Sequence, residues 1–167
     1  MTTTIEMSEA LQPRREWEAT DCPMASALDV IHTRSAFLVL REAYYGATRY
    51  EEFTRRTGLS DPVTAARLRE LTEAGILDRE PYQEPGQRTR QRYLLTDKGS
   101  ELLPVLVALM QWGDRWEQDG QAPVEIRHRG CGAAVTAQLR CASDHAVAGD
   151  ELELAGRRPR RARPPAG

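Results

Sequence analysis

The chain has 167 residues, of which 40% are hydrophobic and 29% charged, and its formal net charge is −2. This length fits one ordinary domain with an appendage, and no apolar run approaches the ~20 residues of a membrane-spanning helix. Three cysteines do not make the disulfide framework of an exported scaffold, and the polar N-terminus does not resemble a secretory signal. We therefore expect a soluble, cytoplasmic protein that binds no membrane.

The basic residues are almost all arginine. Of 23 basic residues only Lys98 is a lysine, a bias typical of codon usage in a GC-rich bacterium. Part of the arginine content is therefore not evidence for a binding surface. The near-zero net charge does not exclude a nucleic-acid partner, because binding depends on a local patch rather than on the total charge.

The composition divides the chain into four segments. We predict a disordered N-terminal arm over 1–20, a folded domain over 21–118, a small β or ribbon-like extension over 121–155 and a disordered Arg/Pro tail over 156–167. The folded domain opens with two predicted helices. Pro23 suits the first turn of one helix, and Gly46 ends the other.

A helix-turn-helix follows. A short predicted helix over 50–56 stops at Gly58, and Ser60 then caps a longer helix that runs to about residue 74. Helix, tight glycine turn and helix is the layout of this motif.

The periodicity changes after this motif. Extended segments over 76–82 and 91–95 flank a Pro-Gly turn and predict a β-hairpin. A helix over about 99–118 comes next, and its apolar stripe is wide. It serves either the core alone or also a dimer interface, for which the candidates are Leu106, Leu109, Met110, Trp112 and Trp116. The predicted fold is mainly α with a small β-hairpin wing: a winged helix-turn-helix with dimerising terminal helices.

This architecture favours duplex DNA as the partner. A recognition helix over about 60–74 is slim enough for a major groove of ~12 Å, while a wing over about 83–92 lies on the backbone or in the minor groove. We expect Arg67 to read a base edge or a phosphate, and Arg69 to lie nearer the flank. The alternative is a solvated face on which both arginines pair with Glu70 and Glu73. The helix candidates are Ser60, Pro62, Val63, Ala66, Arg67 and Arg69.

The wing has the clearer charge pattern. Residues 85–95 contain Arg88, Arg90 and Arg92 and no acid. Alternate residues of a strand point the same way, so we expect the three arginines to line one face and contact phosphates. Codon bias is the competing explanation. Arg49, which opens the helix before the turn, is expected to add a phosphate contact.

Several segments resemble a known family. They include Cys22-Pro23, Arg49–Phe53, Ala66–Leu71, Tyr93–Gly99 and Trp112–Trp116. In this order and spacing they resemble the HxlR-type transcriptional regulators, which are winged-helix relatives of the MarR proteins. The resemblance implies a homodimer, more often a repressor, with one recognition helix per subunit in a pseudo-palindromic operator. One departure is His32–Phe37, where the family usually has a Gly-Lys-Trp run.

The resemblance also implies a role for Cys22, since several family members carry an oxidant-sensing thiol there. A helix N-terminus favours the thiolate, whereas Asp21 opposes ionisation, and the alternative is an inert, partly buried cysteine. The regulator would then respond to a redox or a small-molecule effector.

The C-terminal extension resembles a zinc ribbon. His128 and Cys131 form one pair. After nine residues, Cys141 forms an imperfect second pair with either Asp144 or His145. The alternative is a metal-free β-tail, and DNA binding itself requires no cofactor. A second functional hypothesis is a winged-helix protein-interaction module with a zinc-binding extension. The sequence offers no catalytic constellation, so we do not expect an enzyme.

Overall fold

A computed structural model describes residues 4–11 and 22–156. The rest of the predicted N-terminal arm and most of the Arg/Pro tail lie outside these residues. The chain divides into two compact units. Of the described residues, 22–137 belong to one unit, and 4–11 together with 138–156 belong to the other. Residues 121–137 of the predicted extension therefore belong to the larger unit.

The described residues form six α-helices and four strands, together with two short 3-10 turns. In chain order these are β1 (Glu6–Met7), α1 (Pro23–Ile31), α2 (Arg34–Tyr44), α3 (Tyr50–Thr57), α4 (Asp61–Glu73), β2 (Leu77–Tyr82), β3 (Arg90–Leu95), α5 (Asp97–Ser100), α6 (Leu103–Glu117) and β4 (Glu153–Leu154). The predicted winged helix-turn-helix is confirmed: a mainly helical unit carries one antiparallel hairpin.

Local chemistry explains where the first helices begin and end. The Thr33 hydroxyl caps α2 by accepting a hydrogen bond from the backbone N–H of Ala36 at 3.1 Å. Gly58 has φ +69° and allows the sharp turn between α3 and α4. Ser60 occupies the N-cap position of α4, but its side chain makes no capping hydrogen bond. The predicted N-cap position is thus confirmed, whereas the capping hydrogen bond is missing; Pro62, two residues on, has no N–H to donate.

The core of the larger unit lies between α2, α3, α4 and the start of the hairpin. Its fully buried side chains include Val39, Leu40, Phe53, Leu68, Leu71, Ile76 and Leu77. Phe53 also meets the ring of Tyr93 edge-on, with centroids 6.1 Å apart. This contact fixes β3, and with it the wing, against the helix-turn-helix.

The hairpin has a regular register from Leu77 opposite Leu95 to Tyr82 opposite Arg90. The backbone N–H of Tyr93 donates to the Thr48 carbonyl at 2.7 Å, and Arg49 forms a β-bridge with Arg92. The segment before α3 is thus attached to the outer edge of β3, which brings the start of α3 beside the wing.

The predicted helix over 99–118 is divided into α5 and α6. Pro104, in the first turn of α6, has no N–H for the Ser100 carbonyl, and its ring excludes a continuous helix there. The Tyr44 hydroxyl instead donates to the carbonyls of Gly99 and Ser100. The separate start of α6 beside Pro104 therefore follows from the chemistry of proline, which the apolar periodicity alone does not reveal.

The smaller unit contains a parallel pairing of β1 with β4, in which Glu6 lies opposite Glu153. Residues 6–7 are therefore a strand, although we predicted a disordered arm. The extension predicted over 121–155 forms no strand between residues 121 and 152, where isolated bridges such as that of Arg140 with Ala146 are found instead. None of the described helices has the length and apolar character needed to cross a membrane.

Candidate nucleic-acid interface

The outer face of α4 carries small side chains near the N-terminus of the helix. Thr64, Leu68 and Leu71 form the buried face of α4. Pro62 and Val63 are exposed and Ala66 is half-buried, while the neighbouring Ala65 is also exposed. Small side chains near the N-terminus of α4 leave its backbone open to close approach by a ligand.

The two arginines of α4 lie on different sides of the helix. The side chain of Arg67 is only 18% exposed, and its Nη1 lies 2.6 Å from Glu70 Oε2 and 3.4 Å from Thr33 Oγ1. The side chain of Arg69 is 66% exposed, with its Nε 3.9 Å from Glu73 Oε1. At about 100° per residue, position 67 falls on the flank that meets α2, and position 69 falls opposite the core. The prediction that Arg67 faces outward and Arg69 lies on the flank is wrong.

The prediction that three wing arginines line one face holds for two of them. Arg90 and Arg92 alternate in β3 and share a face. Arg88 lies before the strand, in the exposed turn, and makes no ion pair with any described residue. Only two of the three arginines are therefore aligned by the pleat of the strand.

Acids from other elements surround this wing. Glu80 lies opposite Arg92 across the hairpin, 2.8 Å from its Nη2, and Glu51 of α3 lies 3.4 Å from Arg90. The absence of acids from residues 85–95 therefore does not leave the folded wing free of them. Exposed ion pairs of this kind are worth about 0–1 kcal/mol each, so exchange of a carboxylate for a phosphate costs little.

Arg49 lies at the junction of α3 and the wing. Its guanidinium is 2.6 Å from Glu84 and lies over the ring of Tyr82, 5.2 Å from the centroid. The charge of Glu84 raises the pKa of Arg49 above its ordinary value. Arg49 is thus held on the same side of the molecule as the wing arginines.

Two further residues position α3 and α4, and sequence reasoning missed both. Glu52 Oε2 accepts the backbone N–H groups of Thr48 at 2.9 Å and Arg49 at 3.0 Å, and these bonds lower the pKa of Glu52. The Tyr50 hydroxyl donates to the Asp61 carbonyl at 2.7 Å, and burial raises its pKa. The spacing of Glu52 three residues after the N-cap is the signal that identifies its role.

The predicted dimer residues fall on two faces of α6. Leu109, Trp112 and Trp116 are exposed and, with Val105, form a stripe at positions 105, 109, 112 and 116, which we call the α6 stripe. Leu106 and Met110 are half-buried on the side that faces α2. Of the five predicted residues, only Leu109, Trp112 and Trp116 are therefore exposed on the outer surface of this subunit.

The predicted thiol and metal residues are divided between the two units. Cys22 is half-buried at the N-cap of α1, and the three cysteines are free. His128 Nδ1 lies 3.1 Å from Cys131 Sγ, while Cys141 and His145 belong to the other unit. No three described His, Cys, Asp or Glu residues are grouped to hold a metal ion. Redox sensing at Cys22 and a four-ligand zinc site stay predictions.

Comparison with known proteins relates this arrangement to transcriptional regulators. The HxlR-like helix-turn-helix family model matches residues 30–121. A protein of Mycobacterium tuberculosis, named as an uncharacterized HTH-type transcriptional regulator, is 37% identical over 116 residues, or 69% of this chain and 72% of the relative. The crystal structure of PA1607, assigned as a transcription factor, matches with a TM-score of 0.70 and 35% identity over 81% of this chain and 95% of its own. The reduced form of the transcriptional regulator YodB from Bacillus subtilis matches with a TM-score of 0.51 and 29% identity, covering 60% of this chain and 98% of YodB.

Proposed function

Because the chain belongs to the HxlR-like helix-turn-helix family, we propose that it regulates transcription as a homodimer that inserts α4 of each subunit into the major groove of an operator. The wing then lies along the adjacent backbone or in the minor groove. Repression is the direction we expect, because the family resemblance implies a repressor more often than an activator.

The observation that carries this proposal is the outer face of α4. Pro62, Ala65 and Ala66 form a low surface near its N-terminus, and Arg69 extends from it into solvent. A helix with this profile approaches base edges closely, and a single arginine supplies a bidentate donor for guanine. We therefore assign Arg69, rather than Arg67, as the reader on this helix.

The arginines around α4 supply the phosphate contacts. Arg49, Arg88, Arg90 and Arg92 are all exposed. Three of them are held by carboxylates in surface ion pairs. A DNA phosphate displaces the carboxylate from each of these weak pairs, and each phosphate contact releases counterions.

The α6 stripe supports the homodimer. Its spacing of four, three and four residues is typical of a helix that packs lengthwise on a second helix, and its two tryptophans are 57% and 65% exposed. Met24 and Leu28 of α1 are also exposed. A second copy of this chain is the occupant that a two-fold operator requires, because it presents the same stripe in return.

Fluorescence anisotropy tests the proposal. The full chain is titrated onto DNA from upstream of its own gene and onto a scrambled duplex across a salt series. We expect tight binding to the first DNA, weaker binding to the second and a steep loss of affinity with salt. Equally weak binding to both duplexes, with and without reductant, would overturn it.

One observation favours a protein partner instead. The wing arginines Arg90 and Arg92 are already paired with acids of this chain, so the face is not a uniformly positive patch. A winged-helix protein-interaction module, with or without zinc on its extension, would present such a mixed surface. The anisotropy experiment distinguishes the two, since an interaction module shows no preference between the duplexes.

A further inference from the structure

An apolar cavity of about 640 Å³ lies between α2 and α6 and is bounded by residues 118–126. Its walls include the rings of Phe37, Tyr44 and Tyr45 and the side chains of Leu106 and Met110. No residue of α4 or of the wing lines it, so it is separate from the nucleic-acid interface. Its size and apolar lining are those of sites that bury a drug-sized molecule.

A buried carboxylate faces this cavity. Glu42 is only 5% exposed, and its Oε1 accepts hydrogen bonds from Nε and Nη2 of Arg41 at 3.0 and 2.6 Å. Asp114 contributes a second carboxylate to the lining, with its Oδ1 accepting the N–H of Ala122 at 2.7 Å. The lining thus contains two carboxylates and one guanidinium, and its net formal charge is negative.

Arg41 shows what kind of group this wall accepts. Its guanidinium pairs with Glu42 and also lies 5.9 Å from the centre of the Tyr45 ring. Its side chain is 40% exposed, whereas that of Glu42 is 7% exposed. A buried carboxylate needs a cationic partner, but Arg41 can retract into water and leave its place to another cation.

We propose that the cavity binds a small organic cation with an aromatic body, whose charge replaces Arg41 beside Glu42 and whose body packs against Phe37 and Met110. The aromatic rings at the wall stabilise the cation through their faces, and the apolar lining takes up its hydrocarbon. An anion of the same shape finds only Arg41, which is already paired. This site does not depend on DNA binding by the protein.

Isothermal titration calorimetry of the full chain without DNA tests this site. The probes are tetraphenylphosphonium and tetraphenylborate, which have the same shape and opposite charge. We expect one tetraphenylphosphonium per chain and an affinity for tetraphenylborate lower by about tenfold or more. Equal affinities would overturn the proposal, as would a lack of binding by the cation.

Two substitutions on the wall are expected to act in opposite directions. Glu42→Gln removes the partner of the cation and weakens its binding by about tenfold. Arg41→Met removes the competing guanidinium and tightens binding. Glu101→Gln, on the exposed surface outside the cavity, is the control, and thermal melting confirms that each variant is folded. If the two wall variants bind the cation like the control, the assignment to Glu42 is wrong.

Discussion

The guanidinium of Arg67 lies 2.6 Å from the carboxylate of Glu70, one turn further along α4. The same Nη1 lies 3.4 Å from Thr33 Oγ1, the group that caps α2. Arg67 therefore links the flank of α4 to the start of α2. A side chain held in this way fixes the angle of the helix and leaves the outer face to Arg69.

Substitution of the two arginines separates these roles. Arg69→Ala should weaken operator binding by about 1–3 kcal/mol, with relaxed preference at one base pair, because a base-reading contact is lost. Arg67→Ala should lower the free energy of unfolding by about 1–2 kcal/mol, since Glu70 and Thr33 lose a partly buried partner. Anisotropy on matched and single-base-changed operators measures the first effect, and denaturant unfolding measures the second. A folded Arg67→Ala protein with full stability and no operator binding would contradict this division.

The acids beside the wing should oppose DNA binding. Glu84→Gln frees Arg49 for a phosphate and removes a negative charge from the interface, so affinity should rise by up to about 1 kcal/mol on operator and scrambled DNA alike. The measurement is anisotropy at low and moderate salt, with Glu101→Gln as the matched charge change away from the interface. Unchanged or weaker binding by Glu84→Gln would place Arg49 outside the contact.

The surroundings of the arginines could not be predicted from the sequence, although the helices and the hairpin could. Glycine and proline signals with apolar spacing predicted α1 to α4 and the hairpin, because they report on single elements. The partners of Arg90 and Arg92 come from α3 and from the opposite strand, and such contacts depend on how elements pack. Which of Arg67 and Arg69 is more exposed depends on which flank of α4 packs against α2, and the apolar pattern of a single helix does not specify that. Pro104 was the exception, since its chemistry was visible but was outweighed by the apolar stripe.

Glu52 should make the fold sensitive to acid. Backbone hydrogen bonds from Thr48 and Arg49 hold the pKa of Glu52 below its ordinary value of 4.5 in the folded chain. Its contribution to stability is therefore complete above pH 4.5 and is lost as the pH falls through the lower, folded-state pKa. Glu52→Gln should cost about 1 kcal/mol of unfolding free energy at neutral pH, and this deficit should shrink in acid.

Urea unfolding of wild type and Glu52→Gln at a series of pH values measures this deficit. Glu51→Gln is the control, because the Glu51 carboxylate accepts no backbone hydrogen bond from a described residue. A deficit that persists unchanged in acid would show that the charge of Glu52 is not what stabilises the start of α3.

The α6 stripe should control the oligomeric state. Trp112→Asp places a charge at the centre of the stripe and should convert a dimer into a monomer, with a large loss of operator affinity because each subunit then binds a half-site alone. Light scattering after size-exclusion chromatography measures the mass. Leu139→Asp is the matched control, since Leu139 is 57% exposed like Trp112 but lies outside α6. A dimer that survives Trp112→Asp, or one that Leu139→Asp also disrupts, would assign the interface elsewhere.

Two glycines at either end of the α5–α6 region should respond to alanine with opposite signs. A Cβ at Gly99 would lie 2.2 Å from the Ile76 carbonyl oxygen and 3.1 Å from Leu95. The Ile76 carbonyl cannot withdraw freely, because it accepts the backbone N–H of Thr96 at 3.1 Å. Gly99→Ala should therefore destabilise the fold by several kcal/mol, on the order of a core overpacking.

At Gly113, inside α6, an added Cβ meets nothing within 4 Å, so Gly113→Ala should stabilise the fold by about 0.5–1 kcal/mol through helix propensity. Thermal and denaturant unfolding measure both effects, and a neutral Gly99→Ala would contradict the role of this close contact in stability.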